Sequence, residues 1–417
     1  MGSERSSVKT RRYEPILGIA KPADGGSTLK GNFQGPAPNS QGPALSSQGP
    51  DLSSQGPASK AAALFGCAQS DKLIELTVII PARNESANLP ACLGSLVSQS
   101  ESIFELGCDW ELIVVDDHST DATRQIAAGF AGVTVLEAVP LVSGWTGKCN
   151  ALWTAARQAR GRWLLFTDAD TVHERGDLRR ALHEAQRYEV GMLSYSPRQI
   201  VAGFAQRALM PLIFSELALA YLPSRVSDPN DPLAAANGQF LLVEREIYVH
   251  IGGHKAVANK VLEDVELAVL AKRSQLGLRF RYAPDALSTR MYRTTEQMVE
   301  GWTKNLALLF ANCRALAAWR ALDLLMLFGL PVLSLTLRAR PVSYAIPWLS
   351  AGVVVGILWI RTVFRFYHRV LKSNFPLSDC LLAPLGLPLM VVLLNLSWYQ
   401  HHVRKQVSWK GRMYSER

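Results

Sequence analysis

From Leu76 onward the chain alternates short β-rich runs with amphipathic ones. LTVIIPA is followed by NLPACLGSLVSQ, WELIVVDD by STDATRQIAAGFA, VTVLEAV by KCNALWTAARQA, and RWLLFTDAD by GDLRRALHEAQRY and then VGMLSYS. Runs that are apolar at consecutive positions have no solvent face, and helical periodicity separates them, so the pattern predicts an α/β domain whose parallel sheet is covered on both sides. Ligands of such Rossmann-like sheets sit beyond the carboxyl ends of the strands. The polar motifs are found there: Pro81 to Glu85 after the first strand, Asp116 and Asp117 after the second, Asp168 and Asp170 after the fourth.

Asp168 and Asp170 stand two apart at the end of an apolar run. Extended backbone would put both carboxylates on one face. Paired hard oxygen donors bind Mg²⁺ or Mn²⁺ and leave coordination positions for a phosphate-bearing ligand. An isolated D-x-D is usually a solvated turn. Three strand ends converging on one crevice favour the metal reading.

Residues 1–70 carry the near-repeats SQGPALS, SQGPDLS and SQGPASK, and Gly-Pro at that spacing propagates neither helix nor strand, so a disordered extension is expected. The charged stretch Met1 to Arg12 has no apolar run behind it and does not read as a signal peptide. Six scattered cysteines, Cys67, Cys92, Cys108, Cys149, Cys313 and Cys380, without C-x-x-C or zinc spacing, read as buried thiols.

The C-terminal composition is different. Leu322 to Leu337 and Val342 to Ile360 are apolar stretches joined by RARP, and Leu377 to Tyr399 is a third, broken by Pro384 and Pro388. Two or three membrane spans are expected over 321–400, the third alternatively a re-entrant hairpin. Trp302 to Trp319 reads as an amphipathic helix on the membrane surface, occupying 301–320, and Gln199 to Leu222 as either a second interfacial helix or a buried one, with the interface preferred. Basic residues at Arg361, Arg365, Arg369 and Lys372, and in the 401–417 tail, favour the cytoplasmic side for those segments and for the soluble domain of a multi-pass cell (inner) membrane protein; an odd number of spans cannot satisfy all three, and three spans with an exported tail is the alternative. They also account for much of the net charge of +9, so anionic headgroups explain it better than nucleic acid does.

VIIPARNE, VVDDHSTD, GWTGKCNAL, FTDAD and VLEDVELA, in this order, resemble glycosyltransferase family 2 with its GT-A fold. The likeness covers about Leu76 to Trp302, and implies a catalytic domain over 71–300. The chain with its membrane-bearing C-terminus is similar to the branch holding hopanoid-associated and carotenoid-acid glycosyltransferases. This implies a mixed, mainly parallel sheet and an inverting transfer of one sugar from a nucleotide-sugar, a UDP-sugar by family habit, to a lipid-like or isoprenoid acceptor.

It also implies roles. Pro81, Ala82, Glu85, Asp117, Lys148 and Asp168 would contact the nucleotide-sugar, and Asp168 with Asp170 the metal. Asp264 would be the general base, and Glu263 would orient it or meet the acceptor. Other readings stay open: Glu85, Glu263 and Asp264 could complement helix dipoles, Lys148 could be a surface lysine, and Ser119 and Asp121 read as helix caps. Asn237, Gly238 and Gln239 are expected under the donor sugar, and His254 either binds a hydroxyl or is a loop residue.

The Q-x-x-R-W of processive members is replaced by Met298, Val299, Glu300, Gly301 and Trp302. Only the tryptophan remains, as a candidate aromatic platform for the acceptor. A polymer-extruding synthase is therefore the alternative, and a non-catalytic membrane scaffold a more distant one.

Overall fold

The computed structural model describes residues 73–338, 345–409 and 412–414. The expected disordered extension and Cys67 lie outside them.

Strands β1 (Leu76–Ala82), β2 (Trp110–Asp116), β3 (Val133–Glu137) and β4 (Trp163–Phe166) alternate with helices α1 (Leu89–Val97), α2 (Thr123–Ala128) and α3 (Gly147–Ala156). There follow β5 (Thr171–His173), α4 (Asp177–Arg187), β6 (Met192–Ser196), β7 (Arg198–Gln199) and α5 (Gly203–Ala220). Then come β8 (Leu241–Glu244), α6 (Glu263–Arg273), β9 (Leu278–Tyr282) and β10 (Leu287–Thr289). The main sheet runs β3-β2-β1-β4-β8-β6-β9.

β1 to β4 are mutually parallel, as are β6 and β9. β8, the run FLLVER of the sequence, is antiparallel to both its neighbours. The sheet is therefore mixed and mainly parallel, as expected. The chain passes from β1 outward to β2 and β3, then returns to the other side of β1 as β4, and this reversal opens a crevice at the strand ends.

Successive side chains of a strand point to opposite faces, and the two apolar cores follow that rule. Val78 and Ile80 pack with Leu93 of α1 and Leu178 of α4. Ile79 packs with Leu152 of α3 and Leu267 of α6 on the other face.

A third core belongs to helices. α7 (Thr295–Leu309), α8 (Cys313–Arg338), α9 (Ala345–Val370) and α10 (Ala383–Tyr399) complete the chain with a short hairpin of β11 (Val407–Trp409) and β12 (Arg412–Tyr414). Leu209 and Ile213 of α5, Met298 and Trp302 of α7, and Leu387 and Leu394 of α10 meet in it.

Three expectations change here. The single helix expected over 301–320 is two, α7 and α8, parted between Leu309 and Cys313. α5 is buried over Ala208 to Ser215, because α7 and α10 cover it. The third apolar stretch is not a continuous span: it begins as a separate turn, Leu377–Cys380, and α10 lies against α5 and α7.

Two helical segments among the described residues, Cys313–Leu337 and Ser350–Ser373, are long and apolar enough to cross a membrane. Their apolar windows are only 17% and 11% buried, unlike the core helix of a soluble protein. Four charges join their ends to α5. Arg320 meets Glu216 at 2.7 Å, and Arg369 meets Asp323 at 2.6 Å and Glu216 at 3.3 Å.

Gly386 sets the distance between α10 and α5. A Cβ there would lie 2.3 Å from the Ala208 carbonyl oxygen, a backbone atom that cannot step aside. Gly386→Ala is predicted to destabilise the protein by about 1–3 kcal/mol, the usual range for overpacking, whereas Leu385→Ala, at a 52% exposed neighbour, costs far less. Thermal unfolding in detergent compares them; equal midpoints would mean the helices are not held this closely.

Candidate functional site

The ends of β1, β2 and β4 and the starts of α3, α6 and α7 surround a cleft of about 600 Å³. Pro81 and Ala82, expected just past the first strand, are its last two residues and line the cleft with Glu85 and Asp117. The loop after β1 and the loop after β2 are stitched into one unit. Ser119 Oγ accepts from the Asn84 N–H at 3.0 Å, Asn84 Oδ1 accepts from the Thr120 N–H at 2.8 Å, and Asp121 Oδ2 accepts from the Ser86 N–H at 3.1 Å.

Asp121 also accepts from the Thr123 N–H at the start of α2, as a capping acid should, but Ser119 is used in the cross-loop contact instead. Asp116 Oδ1 accepts from the Ser119 N–H at 3.2 Å, which makes it a turn former. Glu85 takes the side-chain amide of Asn88 at 2.8 Å.

Asp168 and Asp170 both line the cleft. Strand periodicity is not what aims them there. β4 stops at Phe166, and the Thr171 hydroxyl donates back to the Asp168 carbonyl at 2.7 Å, curling the segment into a turn. Thr167, fully buried, anchors the turn's start by donating to the Gln239 carbonyl at 2.8 Å.

Lys148 is the second residue of α3, whose N-cap Thr146 accepts from the Cys149 N–H. The sequence reading left it either as a ligand contact or as a surface side chain. Its ammonium is in fact paired within the protein, 2.8 Å from Asp168 Oδ1 and 2.9 Å from Glu263 Oε1. Burial opposes the charge, but Asp168, Glu263 and Asp264 hold it protonated well above the ordinary lysine value.

Asp264 follows Glu263 in the first turn of α6, and its Oδ2 accepts the Gly238 N–H at 2.6 Å while Oδ1 accepts from Val265 at 2.8 Å. A Cβ at Gly238 would lie 3.0 Å from the Lys148 Nζ and 3.3 Å from Asp264 Oδ2, so any larger side chain would press on these two charged groups. Burial and then the charge of Glu263 push the Asp264 carboxyl up to about 6, with Lys148 pulling the other way. It is thus poised to exchange a proton near neutrality.

Asn237, Gly238 and Gln239 line the cleft as expected. Two other expectations are corrected. Trp302 is 2% exposed, its indole N–H directed at the Met210 sulfur and its ring edge-on to Phe214, so it is part of the helical core and offers no acceptor platform. His254 is 1% exposed and hydrogen-bonded to the Tyr248 hydroxyl at 2.8 Å, and burial lowers its pKa to about 3.

Sequence reasoning missed the polar face of α7. Gln297, Glu300 and Lys304 line the cleft opposite the acids, while Met298, Trp302 and Leu306 of the same helix are buried. The signal was present as polar residues at i, i+3 and i+7 in an apolar helix. Burial lowers Lys304 to about 8 against the nearby carboxylates. Arg293, just before the helix, donates to Asn88 and to the Ala87 carbonyl, both at 2.7 Å, closing the cleft across the β1 loop.

Among the described residues no group of three or more His, Cys, Asp or Glu is arranged to cage a metal. Two carboxylates in a cleft are nevertheless the donor set suited to a hard divalent ion that completes its shell with phosphate and water.

Residues 77–250 match the model of glycosyl transferase family 2. This segment is a family 2 domain, and the protein is a glycosyltransferase. It is 28% identical over 352 residues to the 4,4'-diaponeurosporenoate glycosyltransferase of Staphylococcus aureus strain USA300, an alignment spanning 82% of this chain and 88% of that one. Among solved structures, a mannosyltransferase from Pyrobaculum calidifontis in complex with GDP-Man and Mn²⁺ superposes with a TM-score of 0.42 at 18% identity, covering 84% of this chain and 96% of the other. Glucosyl-3-phosphoglycerate synthase from Mycobacterium tuberculosis with Mn²⁺ and uridine-diphosphate-glucose gives 0.38 at 18%, covering 61% and 83%.

Lys148→Met would leave three carboxylates facing one another. The ammonium is about one-third open to solvent, so a loss of about 1–3 kcal/mol is expected rather than the 3–5 of a fully buried pair. A carboxyl whose folded pKa is raised, as for Asp264, imposes a penalty on the fold that is absent below the ordinary carboxylate range and fully present above about 6. The deficit of Lys148→Met should accordingly be larger at pH 7.5 than at pH 5. Unfolding curves at the two pH values test this, and a pH-independent deficit would mean the acids do not share the lysine.

Proposed function

We propose that the protein transfers one sugar, with inversion, from a nucleotide-sugar to the end of a lipid-like acceptor of isoprenoid type. The observation that carries this reading is the convergence of Lys148, Asp168, Asp170, Glu263 and Asp264 on one cleft at the β1/β4 switch. The carotenoid-acid relative supports the acceptor class, and the family resemblance supports uridine as the donor's base.

In this reading Pro81, Ala82, Glu85 and Asp117 hold the nucleoside beside the stitched loops, and Asp168 and Asp170 would hold Mg²⁺ or Mn²⁺. The ion, when bound, supplies charge neutralisation for the leaving diphosphate. Lys148 adds a second cation at the same place, once the ligand draws it from its carboxylate partners. Asp264 takes the proton of an acceptor hydroxyl as the oxygen attacks the anomeric carbon. Gly238 holds that carboxylate in position through its N–H, and Glu263 sets its proton affinity.

The two apolar helices are proposed to cross the bilayer, with the catalytic domain on the cytoplasmic side where Arg361, Arg365 and Lys372 favour it. The four-charge cluster at Glu216 would then mark the level of the headgroups.

Asp264→Asn is expected to keep donor affinity and to slow transfer to a hydroxyl acceptor by about 10²–10⁴-fold, the range for a lost general base. With a carboxylate-ended acceptor, already ionised near neutrality, the loss should be much smaller. Unchanged turnover with the hydroxyl acceptor would remove Asp264 from this role.

The acid limb of kcat/KM for a hydroxyl acceptor should lie near pH 6, because only the ionised Asp264 accepts a proton. Glu263→Gln, which removes the neighbouring negative charge, should move that limb to lower pH. A limb that stays in place would separate the two residues. Mass spectrometry of lipids gained on expression, against an Asp264→Asn control, tests the function itself; no new glycolipid would refute it.

A further inference from the structure

One buried polar atom of the cleft has no task in the scheme above. Tyr292 stands in the segment between β10 and α7, which crosses the end of the cleft that holds Asp170. The Arg290 N–H donates to the Asp170 carbonyl at 3.4 Å, and Arg293 reaches over to Ala87 and Asn88. Between these two anchors Tyr292 lines the cleft, although it is only 4% exposed.

The ring is fixed in place. Its residue's carbonyl accepts from Gln206 Nε2 of α5 at 3.3 Å, and the Trp302 ring meets it edge-on with centroids 6.2 Å apart. Gly301 of α7 gives it room: a Cβ there would lie 2.5 Å from the Tyr292 hydroxyl oxygen. The glycine that stands at the arginine position of Q-x-x-R-W is thus what admits the phenol.

The hydroxyl itself is unused. Among the described residues no group hydrogen-bonds to it, whereas the other two buried tyrosines are both bound, Tyr195 to Glu184 at 2.7 Å and Tyr248 to His254 at 2.8 Å. A buried phenol ordinarily has a partner, and this oxygen keeps contact with the open space of the cleft. Burial, with the Asp170 charge adding to it, raises its pKa, so the group is a neutral donor and not a base.

We propose that the Tyr292 hydroxyl donates a hydrogen bond to the diphosphate of the nucleotide-sugar, making it a binding residue of the transfer site. The proposal rests on the glycosyl-transfer reading above and adds a residue to it. Two carboxylates in a cleft suit a hard ion that completes its shell with phosphate, so the ligand atoms beside Asp170 are anionic oxygens. Such oxygens are acceptors, and the one O–H held next to Asp170 without a protein partner complements them. A donor fixed in advance, away from bulk water, also strengthens as charge builds on the leaving group.

The test is Tyr292→Phe in the full-length protein in nanodiscs, titrated with uridine diphosphate in saturating Mn²⁺ and, separately, with Mn²⁺ alone. Loss of a hydrogen bond to a charged oxygen should weaken uridine diphosphate by about 10–100-fold. Binding of Mn²⁺ alone should match wild type. Thermal unfolding of the unliganded protein should be unchanged or higher, because the hydroxyl gives up no protein contact. Gly301→Ala, which displaces the ring, should weaken uridine diphosphate as well, and adding Tyr292→Phe to it should cause no further loss.

Equal affinity for uridine diphosphate in Tyr292→Phe and wild type overturns the proposal. So does a loss matched by Mn²⁺ alone, which would assign the hydroxyl to the ion, or a lower unfolding temperature, which would make its role structural. Wild-type protein that binds no uridine diphosphate refutes transfer from a uridine donor and this proposal with it, whereas wild-type binding undiminished in Tyr292→Phe refutes this proposal alone.

Discussion

The site depends on one ammonium group. Asp168, Glu263 and Asp264 approach from the turn after β4 and the start of α6, and two unit charges about 4 Å apart repel by about 4 kcal/mol at the effective dielectric of a protein surface. Lys148, within 3 Å of two of them, is what lets those ends meet. Its position is set in turn by the Thr146 cap and by the Thr146 N–H bond to the Ala258 carbonyl, which ties α3 to the segment leading into α6. Burial and the adjacent Glu263, against the pull of this same ammonium, raise the Asp264 carboxyl to about 6.

The sheet supplies the frame for that balance. Because β4 returns to the far side of β1, the loops after β1 and β2 stand beside the Asp168 turn, and the short bonds between Asn84, Ser119 and Thr120 make them one rigid wall. α7 is the opposite wall and has a second duty. Its polar stripe faces the cleft while Met298, Trp302 and Leu306 are packed against α5 and α10, so one helix couples the cleft to the helical layer that carries the two long apolar helices.

Much of this was legible from local pattern. Continuous apolar runs such as WELIVVD and LTVIIPA read as strands buried on both faces, and of the acids just beyond the strands Glu85, Asp117, Asp168 and Asp170 line a single cleft while Asp116 caps its own turn. The pairing of β8 between β4 and β6 was not legible, since an apolar run of four has no direction of its own. Trp302 was misread for a related reason: an aromatic next to a degenerate motif has the same appearance in sequence whether its ring meets solvent or, as here, Met210 and Phe214. The Pro-broken stretch after Leu377 has the composition of a span, but close approach at Gly386 lays it along α5.

What the sequence alone determined was the inventory: the strands, the helices, the acids at the strand ends and the apolar lengths near the C-terminus, all of which follow from periodicities of two and 3.6 and from chemistry carried by neighbouring residues. The partnerships were decided only in three dimensions. Lys148 with Glu263, Gly238 with Asp264, Trp302 with Met210 and Ala208 with Gly386 join residues far apart in the chain, and which of them meet is settled by how two sheet faces and a helical layer fill space together.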